Sequence, residues 1–207
     1  MKQAIASLIA ATLSVGMSSQ LQRLSDDQIK EAIVQGTAGK NVTSSCLATS
    51  GFMDFGEMNG PFDVYVEGPY GRIMRLAREA KKKYLAFTIE TVTDEQRATV
   101  VTITITPAAP TLSQNKWHRT AAADHVVLKT KPPKGAEAVV LQPANIEHFP
   151  TEWSNAVGGK WQGQGAVATF DFDAVKGFPH PEFDVVVITA EGERRCKVGK
   201  KDRDALR

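Results

Sequence analysis

Only two cysteines, four histidines and 7% aromatic residues occur among 207 residues, and the 25 basic and 23 acidic side chains leave a formal charge of just +2. Each shortage excludes something. Two cysteines cannot build the dense disulfide lattice of a small secreted scaffold, and a chain of this length buries a sizeable core without one. A charge near zero provides no global field toward nucleic acid or an anionic membrane, so nucleic acid is not expected as a partner and electrostatic recognition must be local. His118, His125, His148 and His180 lie far apart and none stands at metal-ligand spacing from another, so neither a metal nor another cofactor is predicted. No apolar run reaches transmembrane length.

Common catalytic signatures are missing too. There is no Gly-x-Ser-x-Gly elbow and no His-Glu-x-x-His. Gly36, Gly39 and Lys40 fall short of a phosphate loop, because the glycine spacing is wrong and Asn41 follows the lysine. Gly158, Gly159, Gly163 and Gly165 have neither the preceding strand nor the following helix of a dinucleotide fingerprint.

What is there begins at the N-terminus. Lys2 precedes an uncharged stretch from Gln3 to Gln22 whose centre, Ala4 to Met17, is apolar. An apolar run of about 12 to 14 residues after a charge is the length of a secretory signal and too short to span a bilayer. We therefore expect a signal peptide over residues 1–18, cleaved after Ser18, and a single β-rich domain over 19–207 that works in the periplasm or outside the cell. In an oxidising compartment Cys46 and Cys196 are expected to form a disulfide between the segment after the first helix and the last strand. Asn41, Val42 and Thr43 also form a glycosylation sequon.

Ser25 with Gln28 predicts a helix start, Ile29, Ala32 and Ile33 its apolar face, and Gly36 and Gly39 its end. Phe62 to Glu67 alternates like a strand that Gly68, Pro69 and Gly71 break. Arg72 to Lys83 predicts an amphipathic helix with Ile73, Leu76, Ala77, Ala80 and Tyr84 as its apolar stripe. A hairpin is then expected, with Leu85, Phe87 and Ile89 on one arm, a turn over Thr93 to Gln96, and Val101, Ile103 and Ile105 on the other. Further strands are expected over His125 to Lys131, Ala138 to Gln142, Ala166 to Asp173, Asp184 to Thr189 and Arg194 to Val198, and mixed charge after Val198 suggests a frayed basic tail. This pattern predicts a mainly β, antiparallel sandwich-like fold with one N-terminal and one inserted amphipathic helix. The strand, helix, strand order over residues 62–92 would equally suit α+β.

Three surfaces could carry function. Trp117, Trp153 and Trp161 stand in polar segments, where indoles can form stacking platforms for a ligand. Arg72, Arg75, Arg78, Lys81 and Lys82 make the most basic surface, suited to an anionic partner, although cations near a helix C-terminus also favour its dipole. Asp171 and Asp173, two apart on an expected strand, could form a calcium site or an acid/base pair completed by Glu182 or Asp184, or work with His180 in a hydrolase. The leading expectation is an exported, non-catalytic module that binds an envelope component, a saccharide or a protein partner. The alternatives are an exported hydrolase or metal-assisted enzyme using Asp171, Asp173 and His180, and a structural or assembly protein.

Overall fold

A strand with one buried face needs apolar residues at every second position, and residues 100–107 meet that rule closely. In the computed structural model, which describes residues 23–40, 44–48, 62–107, 121–132, 135–154, 160–190 and 192–206, this segment is a strand. Val101, Ile103 and Ile105 are fully buried while Thr102, Thr104 and Thr106 point the other way. The expected signal peptide, the sequon at Asn41 and Trp117 lie outside the described residues.

Among the described residues ten strands form two sheets: β1 (Ser44–Ala48), β2 (Phe62–Glu67), β3 (Val100–Pro107), β4 (Ala121–Ala122), β5 (His125–Thr130), β6 (Val140–Leu141), β7 (Asn145–Ser154), β8 (Lys160–Asp171), β9 (Phe183–Thr189) and β10 (Gly192–Val198). The larger sheet runs β1-β2-β3-β8, with β7 antiparallel along β8 and the short β4 parallel to it. The smaller runs β10-β9-β5-β6, all antiparallel. Val64, Val66, Ile103, Ala168 and Phe170 of the first sheet share one buried cluster with Val126, Leu128, Val185 and Val187 of the second. Each of these side chains larger than alanine stabilises by about 1.5–3 kcal/mol when fully buried, which drives the two sheets face to face. The fold is mainly β with a few helices, as the alternation predicts.

Cys46 on edge strand β1 is bonded to Cys196 on edge strand β10, with 5.9 Å between their Cα atoms and 150 residues between them in sequence. The bond joins the two sheets at one margin, between the elements that the sequence nominates.

Helix α1 (Asp26–Thr37) starts as expected, with Ser25 Oγ accepting from Gln28 N–H and Gln28 Oε1 accepting from Ser25 N–H. Its apolar face, Ile29 and Ala32, packs with Leu24 against Ile73 and Met74 of helix α2 (Pro69–Lys82) and with Val92 in a second cluster beside the sandwich. Gly36 does not stop α1. It lies inside the helix, where a Cβ would overlap the backbone carbonyl of Met74, so glycine there permits the close crossing of α1 and α2.

Other segments depart from expectation. The strand ends at Glu67 as expected, but α2 begins at Pro69 and not at Arg72, because proline at the first helical position has a pre-set φ and needs no N–H partner. No strand forms over residues 85–92; a 3-10 turn (Ile89–Thr91) lies there, helix α3 (Asp94–Arg97) follows, and Phe87 and Ile89 pack on the α1–α2 cluster. Strand β8 ends at Asp171, and Phe172–Lys176 form helix α4. After Val198 the chain does not fray at once: Lys200–Ala205 form helix α5, and Leu206 is buried in the core. The Arg203 guanidinium holds that end by donating to the carbonyls of Lys176, Phe178 and His180.

Tyr84 is not part of the α2 apolar stripe. It stands past the helix end at φ 56°, 98% exposed. The left-handed conformation costs a non-glycine residue about 1–2 kcal/mol, so Tyr84→Gly is expected to raise stability by about 1 kcal/mol, read as a higher denaturant midpoint. A lower midpoint would contradict the strain.

Candidate functional site

The basic residues of α2 divide between the sheet and the solvent. Because α2 turns back immediately after β2, its first turns lie over the end of that strand, and Glu67 is only 7% exposed there. Arg75 grips the Glu67 carboxylate with two hydrogen bonds, Nε to Oε1 at 2.9 Å and Nη2 to Oε2 at 3.3 Å, and reaches Glu79 at 3.1 Å. Burial works to lower the Arg75 pKa, but the hydrogen bonds and charges of Glu67 and Glu79 more than reverse it, so it is raised. Arg72 donates to the Val100 carbonyl at 2.9 Å and to Thr102 Oγ1 at 3.0 Å, and burial lowers its pKa. These two arginines pin the helix to the sheet. The Nε of Arg78 is buried without a hydrogen-bond partner, Lys81 donates to the Thr37 carbonyl at the end of α1, and Lys82 is exposed.

Beside this network the outward face of the larger sheet is polar. Register places Glu67, Thr102, Thr169 and Asn145 in one row across β2, β3, β8 and β7, followed by Tyr65, Thr104, Val167 and Glu147. With α2 and α3 the first row, together with Val167 and Glu147 of the second, lines a cleft of 610 Å³. Asn145 Nδ2 donates to Glu147 Oε1 at 3.1 Å, and Tyr65 remains 45% exposed.

The cleft opens along the β7–β8 hairpin. Its ten register pairs are unbroken, so residues 145, 147, 149, 151 and 153 share one face with 169, 167, 165, 163 and 161. Trp153 and Trp161, which the sequence suggests bracket a loop, are direct register partners on the two arms. Phe149 lies over Gly165, where a Cβ would overlap the ring, and Gly163 stands opposite Thr151. The Phe149 ring fills the space over Gly165, and the row from position 145 to 153 extends about 27 Å along the ladder at the usual rise per residue. Phe149, Thr151 and Gly163 also line a recess of 380 Å³ with His148, Glu152, Gln162 and Gln164, and the buried Thr151 hydroxyl has no hydrogen-bond partner among the described residues. The sequence offers only the tryptophans as a signal for this site.

The carboxylates are dispersed. Asp171 caps α4, accepting from the Ala174 N–H at 2.7 Å. Asp173, on that helix, lines a separate groove of 740 Å³ together with Arg23, Lys176 and Lys200, but neither Asp171 nor His180 lines it. Glu182 pairs with Lys197 at 2.7 Å, and the buried Asp184 lies 3.5 Å from Lys131. Among the described residues no cluster of His, Cys, Asp and Glu could hold a metal, and no helix is long and apolar enough to cross a membrane. No family model matches the chain, and neither a curated protein nor a solved structure matches it.

Proposed function

We propose that the protein is an exported, non-catalytic binding module, and that its ligand is an extended, hydroxyl-rich polymer of the glycan class laid along this face of the β7–β8 ladder. The observation that carries this reading is the unbroken register, which sets Asn145 and Thr169, Glu147, Phe149 over Gly165, Thr151 and the Trp153–Trp161 pair in sequence on one face. Alternating hydrogen-bonding groups and aromatic carbons suit a sugar chain, whose rings offer hydroxyls at their edges and C–H groups on their faces. The Cys46–Cys196 bond supports an oxidising compartment, outside the reducing cytosol.

Titration calorimetry against chitohexaose, cellohexaose and solubilised peptidoglycan fragments tests the proposal. At least one ligand should bind, and Phe149→Ala or Trp161→Ala should weaken it about tenfold, the effect of removing one good contact of roughly 1.4 kcal/mol. Failure of all three ligands to bind, or equal affinity in both variants, would overturn the reading.

A further inference from the structure

Helices α1 and α2 end in the same hydrogen-bonded turn with different residues at its critical position. In α1, Gly39 N–H donates to Gly36 O and Lys40 N–H to Gln35 O, with Gly39 at φ 84°. In α2, Tyr84 N–H donates to Lys81 O and Leu85 N–H to Ala80 O, with Tyr84 at φ 56°. Glycine is the residue this turn favours, because the left-handed conformation crowds a Cβ. Tyrosine is therefore held there against local preference, and with 98% of its surface exposed it offers the fold almost no packing in return.

Its surroundings are also unusual. The three most exposed large apolar residues among those described, Tyr84 at 98%, Val34 at 66% and Leu85 at 62%, all lie on or just past the last turns of α1 and α2. Lys81, Lys82 and Lys83 precede Tyr84 directly, Lys40 follows the turn that ends α1, and the Lys81 bond to the Thr37 carbonyl holds the two helix ends together. Neither helix has an acidic residue in its last turn before these ends except Glu79, which is paired with Arg75. A projecting phenol and leucine set within lysines match a bilayer interface, where tyrosine sits at headgroup depth, leucine enters the acyl boundary and ammonium groups meet lipid phosphates.

We infer that this helix-end tip docks the protein onto the surface of an anionic phospholipid bilayer. The tip is separate from the β7–β8 ladder and would act whatever that ladder binds. Lysine clusters alone attract any polyanion; the strained, exposed tyrosine with its leucine neighbour favours a bilayer over a soluble acidic partner, because only the former rewards shallow insertion of both.

Flotation of the full chain with vesicles of phosphatidylcholine containing about one third phosphatidylglycerol tests this, with pure phosphatidylcholine for comparison. The protein should float with the anionic vesicles and not the neutral ones. Lys82→Glu with Lys83→Glu, and separately Tyr84→Gly with Leu85→Ser, should each lower the bound fraction about tenfold. The second pair relieves strain and so does not rely on an unstable variant. A local readout comes from 3-fluorotyrosine, which labels the chain's three tyrosines. A nitroxide lipid should broaden the Tyr84 fluorine resonance far more than those of Tyr65 and Tyr70. Equal flotation with neutral vesicles, no flotation, or a Tyr84 resonance no more affected than the other two would overturn the inference. Loss of binding in the lysine pair alone would also overturn it, identifying a polyanion site instead.

Discussion

Cys46→Ala combined with Cys196→Ala is expected to lower the unfolding free energy by about 3 kcal/mol, with roughly 5 kcal/mol as the upper bound set by chain entropy. The bond closes a loop of 150 residues, so the unfolded chain gains much freedom when it is absent. The folded state has a specific weak point as well. β1 is an edge strand of five residues with a single ladder, to β2, and its contact with β10 across the sheet margin is where the covalent link lies. Hydrogen exchange over Ser44–Ala48 should therefore rise by more than in β3, which is paired on both sides. An unchanged denaturant midpoint in the variant, measured against the oxidised parent, would refute the expectation.

The next largest effect should come from Arg75→Met, at about 3 kcal/mol, with Glu67→Gln costing less, about 1–2 kcal/mol. The asymmetry follows from burial. Removing the guanidinium leaves a carboxylate whose side chain is only 9% exposed without its bidentate partner. Removing the carboxylate charge leaves an arginine that is 37% exposed and still paired with Glu79. A double-mutant cycle in chemical denaturation should give a coupling of about 1–3 kcal/mol. If the two single variants cost the same, or if their effects simply add, the pair is not the clamp between α2 and the larger sheet described above.

Where one face is dry and the other wet, the chain is legible. Phe62–Glu67 and Val100–Pro107 have that pattern, and the Ser25 and Gln28 pair marks a helix start by local chemistry alone. Strand β7 is not legible because it is an edge strand whose distal half carries His148, Pro150, Thr151 and Glu152, so hydrophobic alternation never develops. Gly36 reads as a helix stop because its reason for being glycine is the backbone of Met74, nearly forty positions away. Leu85, Phe87 and Ile89 alternate as a strand would, yet three positions cannot distinguish a sheet face from a segment draped over a helical cluster. The cysteine pair is readable from compartment logic. Most of the candidate binding face is not, because it depends on which β8 glycine faces which β7 side chain.

The strand order also sets a schedule for synthesis. The smaller sheet has β9 and β10 on one side, drawn from residues 183–198, while the larger sheet is complete by residue 171. A nascent chain halted in between would have made all the strands of the larger sheet, but Val64, Val66, Ile103 and Ile105 would still face water on its inner side. Cys46 would be waiting as a lone thiol, since its partner arrives only at position 196. Completion of the protein is thus tied to delivery of its final strands, and a prematurely released fragment would be sticky, oxidisable and a ready target for proteolysis.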